Sequence, residues 1–116
     1  MEWQNTYGGN GDDYLNSMEI TKDGGYLICG ETRSLDGDIT PGSFKGGPKD
    51  YWILKLDEKG AIEWQKNIGG DNSDEAYGIV EVADGSFVVA GTTLSNNKDV
   101  KGKHGISDWW VVKLTK

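Results

Sequence analysis

Aspartates are the residues most able to do chemistry in this chain. Asp36-Gly37-Asp38-Ile39-Thr40 sets oxygens at alternate positions, the spacing with which a calcium loop surrounds its ion. An EF-hand needs Gly at the next position, where this chain has Pro41, and a second copy of the stretch carries Lys101 in place of Thr40. A solvated turn competes with Ca²⁺ at Asp36 and Asp38. Gly8-Gly9-Asn10-Gly11-Asp12-Asp13 is glycine-rich but lacks the Lys and Ser/Thr of a phosphate cradle, and two adjacent acids repel phosphate. The acids Asp12, Asp13, Asp36 and Asp38 also raise the carboxylate chemistry of a glycan-cleaving hydrolase. Repetition supplies the same acids in each unit, with no asymmetry to make one an acid and the other a base. His104 is the only histidine, and nothing in sequence marks an orienting acid or a nucleophile for it. Together Asp12, Asp13, Asp36, Asp38, Asp74, Asp99 and His104 are the candidate ligand-binding residues, with no catalytic set among them.

These acids sit in a pattern written twice. Glu2-Trp3-Gln4 and Gly8-Gly9 return 61 residues later as Glu63-Trp64-Gln65 and Gly69-Gly70. The same shift carries Asp13 onto Asp74, Asp23-Gly24 onto Asp84-Gly85, Gly30 onto Gly91, Ser34 onto Ser95 and Asp38 onto Asp99. After a deletion of three, Asp50, Trp52, Lys55 and Leu56 return as Asp108, Trp110, Lys113 and Leu114. Residues 1–116 then form one unit, with repeat one over 2–62 and repeat two over 63–116. Such a period marks arrays in which one repeat cannot bury its own faces. The recurrence of Asp13 as Asp74 suggests a structural use, capping backbone N–H groups nearby.

Each repeat reads as short β-segments rich in aromatic and β-branched residues. In repeat one these are Ser17–Thr21, Gly25–Gly30, Tyr51–Leu56 and Ile62–Ile68; in repeat two, Gly78–Val82, Phe87–Ala90 and Trp109–Leu114. Glu2–Tyr7 matches the fourth segment and is expected to be a strand. Trp52, Leu54 and Leu56 face one way and Tyr51 and Ile53 the other, so the third strand is apolar on both sides, as in a sheet covered on both faces. Trp52, Trp109 and Trp110 are expected in the core rather than stacked on a sugar, and Trp3 and Trp64 partly exposed. Tight turns alternate with long connections, Glu31–Lys49 and Thr92–Ser107, which collect on one edge with the glycine-acid loops Gly8–Asp13 and Gly69–Asp74. That edge is the expected ligand face, because the tight turns at Asp23-Gly24, Asp57–Gly60 and Asp84-Gly85 promise little concavity.

The string Trp3-Gln4, Gly8-Gly9, Gly11-Asp12-Asp13-Tyr14, Asp23-Gly24-Gly25-Tyr26, Gly30, Asp36-Gly37-Asp38 and Asp50-Tyr51-Trp52 with Lys55-Leu56 resembles the roughly 60-residue repeats of bacterial β-propellers of Bacteroidetes-type surface and secreted proteins. Repeat two departs from it at Ser73-Asp74-Glu75 and Asn97-Lys98-Asp99. The resemblance implies an all-β fold of two four-stranded antiparallel blades, assembling into a closed six- or eight-bladed propeller, and a parent protein that is secreted or at the cell surface. It transfers no catalytic residues. Two blades alone leave broad apolar faces in water. A trimer or tetramer in which Glu2–Tyr7 of one copy completes the last blade of the next would close the ring. Trimming from a longer chain is the competing origin, and a purely structural role in blade assembly is a further reading beside a non-enzymatic binding or scaffold module for carbohydrate or protein.

Composition narrows the partners. Lys and Arg number 12 against 19 Asp and Glu, a net charge of −7 that disfavours a nucleic-acid backbone. The apolar runs are too short to span a membrane, and Met1-Glu2-Trp3 opens no signal peptide. Cys29 is single, so it forms no intrachain disulfide, and its strand pattern makes it a core residue.

Overall fold

The computed structural model describes residues 1–115. They form seven strands and no helix: β1 Asp13–Ile20, β2 Tyr26–Thr32, β3 Asp50–Leu56, β4 Ile62–Ile68, β5 Asp74–Glu81, β6 Phe87–Thr93 and β7 Asp108–Leu114. Strands β1-β2-β3-β4 make one antiparallel meander and β5-β6-β7 a second. Apart from Glu2–Tyr7, the expected segments become strands. Those of the first and second types extend further toward the long-loop edge, because Asp13 pairs with Thr32 and Asp74 with Thr93.

The second sheet has three strands, matching the three segments read in repeat two, and four strands are present in the first sheet alone. One expectation is corrected. Glu2–Tyr7 is not a strand in this structure; it lies against the outer face of the first sheet, where Trp3 meets Tyr26 edge-on at 6.0 Å and the Tyr7 hydroxyl donates to the Gly60 carbonyl at 2.6 Å. An extended segment becomes a strand only when a neighbouring backbone takes its alternate N–H and C=O groups, and among the described residues no strand pairs with Glu2–Tyr7.

Local chemistry fixes the register. At the β1–β2 turn the Thr21 amide donates to the Gly25 carbonyl and Gly24 adopts φ 85°; at the β5–β6 turn Val82 donates to Ser86 and Gly85 adopts φ 83°. This is the compact hairpin whose last turn residue must be left-handed, which Gly permits without a Cβ clash. Both first strands carry a bulge at matching places, Asn16 and Tyr77. Just beyond each bulge the partner strand has Gly, at Gly30 and Gly91, where a Cβ would collide with the Tyr14 or the Glu75 carbonyl.

The two sheets pack face to face. Leu27, Cys29, Tyr51 and Ile53 of the first sheet bury against Ala76, Ile79, Phe87 and Val89 of the second, with Trp64, Ile68, Trp110, Val112 and Leu114 at the margin. Trp64 stacks on Phe87 at 4.9 Å and Tyr51 leans on Trp110 at 4.8 Å. The opposite face of the first sheet carries Ile28, Trp52, Leu54 and Leu56, covered by Tyr7 and Ile39. β3 is therefore buried along its whole length, as its two-sided apolar pattern requires. Cys29 is fully buried, and desolvation pushes its thiol up to about 12.

Candidate functional site

The long-loop edge of each sheet is held by one acid with a fixed set of donors. Asp13 accepts from the Thr32 hydroxyl at 2.5 Å, the Ser34 hydroxyl at 2.9 Å and the Gly9 amide at 3.0 Å. Asp74 accepts from Thr93 at 2.5 Å, Ser95 at 3.1 Å and the Gly70 amide at 2.9 Å. The serines relay the contact: Ser34 Oγ takes the Gly11 amide and Ser95 Oγ the Asn72 amide, both at 2.9 Å. The strand end (Thr), the long loop (Ser) and the glycine-acid loop (Gly) are thus tied to a single carboxylate. This is the capping role that the recurrence in register suggests, since loop N–H groups leaving a sheet edge need acceptors.

The other candidate acids do the same work one turn further out. Asp36 Oδ1 accepts the Asn10 amide at 2.7 Å, and Asn97 in the second repeat accepts the Asp71 amide at 2.9 Å. Asp38 Oδ2 accepts the Gly8 amide at 2.9 Å, and Asp99 Oδ2 the Gly69 amide at 3.1 Å. Replacing Asp36 by the neutral Asn97 preserves the geometry, because one carbonyl-type oxygen suffices for one amide. Asp12 contributes its backbone carbonyl, to Arg33 N–H at 3.0 Å, and leaves its side chain exposed. His104 is exposed, and its backbone amide donates to Asp108 at 2.5 Å. The structure thus brings Asp13, Asp36 and Asp38 onto one pair of loops and Asp74 and Asp99 onto the other. Among the described residues, no group of three or more His, Cys, Asp or Glu is placed to hold a metal ion.

Sequence reasoning passed over the most perturbed acid. Asp50 opens β3 and is fully buried. One carboxylate oxygen takes the Lys45 amide, and Oδ1 has no partner. Desolvation pushes its pKa up to about 7, the Lys45 amide opposes this, and the charges of Asp74 and Asp99 reinforce it. Its signal was present in sequence: Asp50-Tyr51-Trp52 recurs as Asp108-Trp109-Trp110. Asp108 differs in being half-exposed, with both oxygens hydrogen-bonded to the amides of His104 and Gly105.

The tight-turn edge holds a concavity that sequence reasoning did not expect. A groove of about 350 Å³ opens between the sheets, with Leu27, Trp64 and Phe87 in its lining and Lys22, Glu81 and Asp84 among its polar groups. Lys55 closes one side, nearly buried and bonded to Asp23 at 3.1 Å and Glu63 at 2.9 Å. Asp23 lies well below the ordinary carboxylate range, chiefly through the hydrogen bond from Thr21, then the Gly25 amide and Lys55.

No protein-family model and no curated protein matches the chain.

Proposed function

We propose that this chain is a blade pair of a β-propeller that serves as a non-enzymatic binding or scaffold module, with carbohydrate or protein as its partner. The observation that carries this reading is the use made of the loop acids. Asp13, Asp36, Asp38, Asp74 and Asp99 each accept loop amides, which stiffens the loops into a repeated surface. Repeated, rigid, similar surfaces suit weak contacts that gain by multivalency. Several such units joined into a closed ring would present them side by side.

The groove at the tight-turn edge supports a second location for the same role. It is concave, with an apolar floor and converging polar groups, the usual form of a ligand pocket. A glycan and peptide array separates the two locations. Loss of a bound ligand in the exposed loop variants Asp12→Ala, Lys101→Ala and His104→Ala places the contact on the loops. Loss in Lys22→Ala and Glu81→Ala places it in the groove. Turnover of a glycan by the intact chain would overturn the non-enzymatic reading.

A further inference from the structure

The contact between the two sheets is a template, and each half of it recurs on the outside of the molecule, in part without a covering sheet. The 61-residue shift, and the 58-residue shift between β3 and β7, map every residue of the inner contact onto an outer one. Ala76 and Ile79, buried where the second sheet meets the first, correspond to Leu15 and Met18, which are 60% and 57% exposed on the outer face of the first sheet. Tyr51 and Ile53, buried where the first sheet meets the second, correspond to Trp109 and Val111, which are 91% and 63% exposed on the outer face of the second. One outer face is therefore the match of the other. The inner contact shows how they fit.

The fit extends to a specific side chain. Inside the chain, Tyr51 rests on Trp110 and its hydroxyl donates to the Trp110 carbonyl at 3.0 Å, beside Gly91. The residues equivalent to Trp110 and Gly91 are Trp52 and Gly30. They line a small, mainly apolar pocket of about 90 Å³ on the outer face of the first sheet, with Ile28 and Leu54. The residue equivalent to Tyr51 is Trp109.

The backbone supplies the second half of the argument. β3 pairs with β4 in the register Tyr51↔Ile68, Ile53↔Lys66 and Lys55↔Trp64. Among the described residues the matching edge of β7 has no strand beside it, and an open cleft of about 530 Å³ runs along Trp110–Leu114. The residues equivalent to β4 are Glu2–Tyr7. They already hold the place of a fourth strand relative to the sheet they cover: Trp3 meets Tyr26 at the position where Trp64 meets Phe87, edge-on rather than stacked, and Tyr7 packs beside Trp52 as Ile68 packs in the inner core. They lack only a hydrogen-bonding neighbour.

We propose that the outer face and open edge of the β5-β6-β7 sheet bind a second copy of this chain head to tail. Glu2–Tyr7 of that copy pairs antiparallel with β7 in the register Trp109↔Tyr7, Val111↔Asn5 and Lys113↔Trp3. Trp109 enters the pocket beside the second copy's Trp52. An unpaired strand edge and a contiguous apolar face are the two features that draw in another chain, and strand addition satisfies both at once. The contact is heterologous, so it propagates until the ring closes. The proposal rests on the blade-pair reading and names the surface by which blade pairs join.

The test is the mass of the intact chain in solution across a wide range of concentration, with two variants. The expected result is a closed multiple of 12.7 kDa, and a monomer of that mass for Trp109→Glu with an unchanged circular dichroism spectrum. Because Trp109 is exposed in the single chain, its replacement leaves the fold of that chain intact. The double variant Asn5→Cys/Val111→Cys should form intermolecular disulfides under mild oxidation, whereas Asn5→Cys alone should not. A monomeric intact chain at every concentration overturns the proposal. An oligomer that Trp109→Glu leaves whole and the cysteine pair fails to link overturns this surface, while the blade-pair reading stands on another contact. Ligand binding on the array is a separate readout and does not depend on either result.

Discussion

Tyr51 and Trp109 occupy the same position in the two repeats, the second residue of the third strand, and one is fully buried while the other is 91% exposed. Asp50 and Asp108, one residue earlier, diverge in the same way. Asp50 is buried with an unpartnered oxygen and a pKa near 7, and Asp108 is half-exposed with both oxygens bonded. Asp74 is buried and Asp13 only partly so, although both hold the same three donors. In each pair the local fold is the same and the environment differs. What sets the environment is whether another sheet lies against that face. The lesson is that strand pattern fixes which way a side chain points, and the neighbouring blade fixes what it meets.

Loss of the shared acid should produce the largest effect and should separate the two repeats. Asp74→Ala leaves the Thr93 and Ser95 hydroxyls and the Gly70 amide without their acceptor in a buried place. Each buried group so orphaned costs about 1–3 kcal/mol, so urea unfolding should show a loss of roughly 3 kcal/mol or more. Asp13→Ala removes equivalent bonds where water can replace them, and should cost about half as much. Equal losses would mean that the covering sheet adds nothing to this site.

Asp50 should give the next largest effect, visible only as a function of pH. Its folded pKa is near 7 against an ordinary 3.8, so the folded state holds the proton more tightly. Its contribution is fully present below the unfolded pKa and is lost as pH rises through the folded one. Asp50→Asn removes that titration while keeping the Lys45 amide's acceptor. The variant should therefore gain stability relative to the parent between about pH 4 and pH 7, to a constant advantage above it. Asp108→Asn, at the exposed counterpart, should run parallel to the parent across the same melts. A parallel curve for Asp50→Asn would show that Asp50 is ionised in the folded chain throughout.

A smaller difference is expected from the aromatic pair. Tyr51→Phe removes one hydrogen bond to the Trp110 carbonyl and should cost about 1 kcal/mol in urea unfolding. Trp109→Phe should cost nothing measurable in the single chain, because Trp109 touches little there. The smallest effect concerns calcium. Asp36 and Asp38 direct one oxygen each at the Asn10 and Gly8 amides, so thermal melts with Ca²⁺ and with chelator should coincide. A rise with Ca²⁺ that Asp38→Ala abolishes would show these acids to be ligands as well as loop clasps.

Much of this was legible from the residues alone. The 61-residue shift located the strands, Asp-Gly and Lys-Gly located the tight turns, and Asp13 and Asp74 in register pointed to a structural use that the hydrogen bonds bear out. What eluded sequence reasoning depends on neighbours rather than on order. Glu2–Tyr7 has a strand's composition, but a strand needs a partner backbone. Trp109 has a core residue's type, but no covering sheet. Asp50 looks like any strand-opening acid until the Gly69 turn and the charges of Asp74 and Asp99 close over it. The groove at the tight-turn edge arises from the separation of two sheets, which no run of residues encodes locally.

In the proposed contact the outer face and edge of β7 repeat the contact inside the chain and receive Glu2–Tyr7 of a second copy. Amide hydrogen exchange followed against protein concentration tests it most directly, because it reports the edge itself. Protection should rise with concentration at alternate residues of Trp109–Leu114 and, in step, within Glu2–Tyr7, while β2 and β3 stay protected throughout. Fast exchange at both segments at every concentration, beside a fully protected β2 and β3, would contradict it.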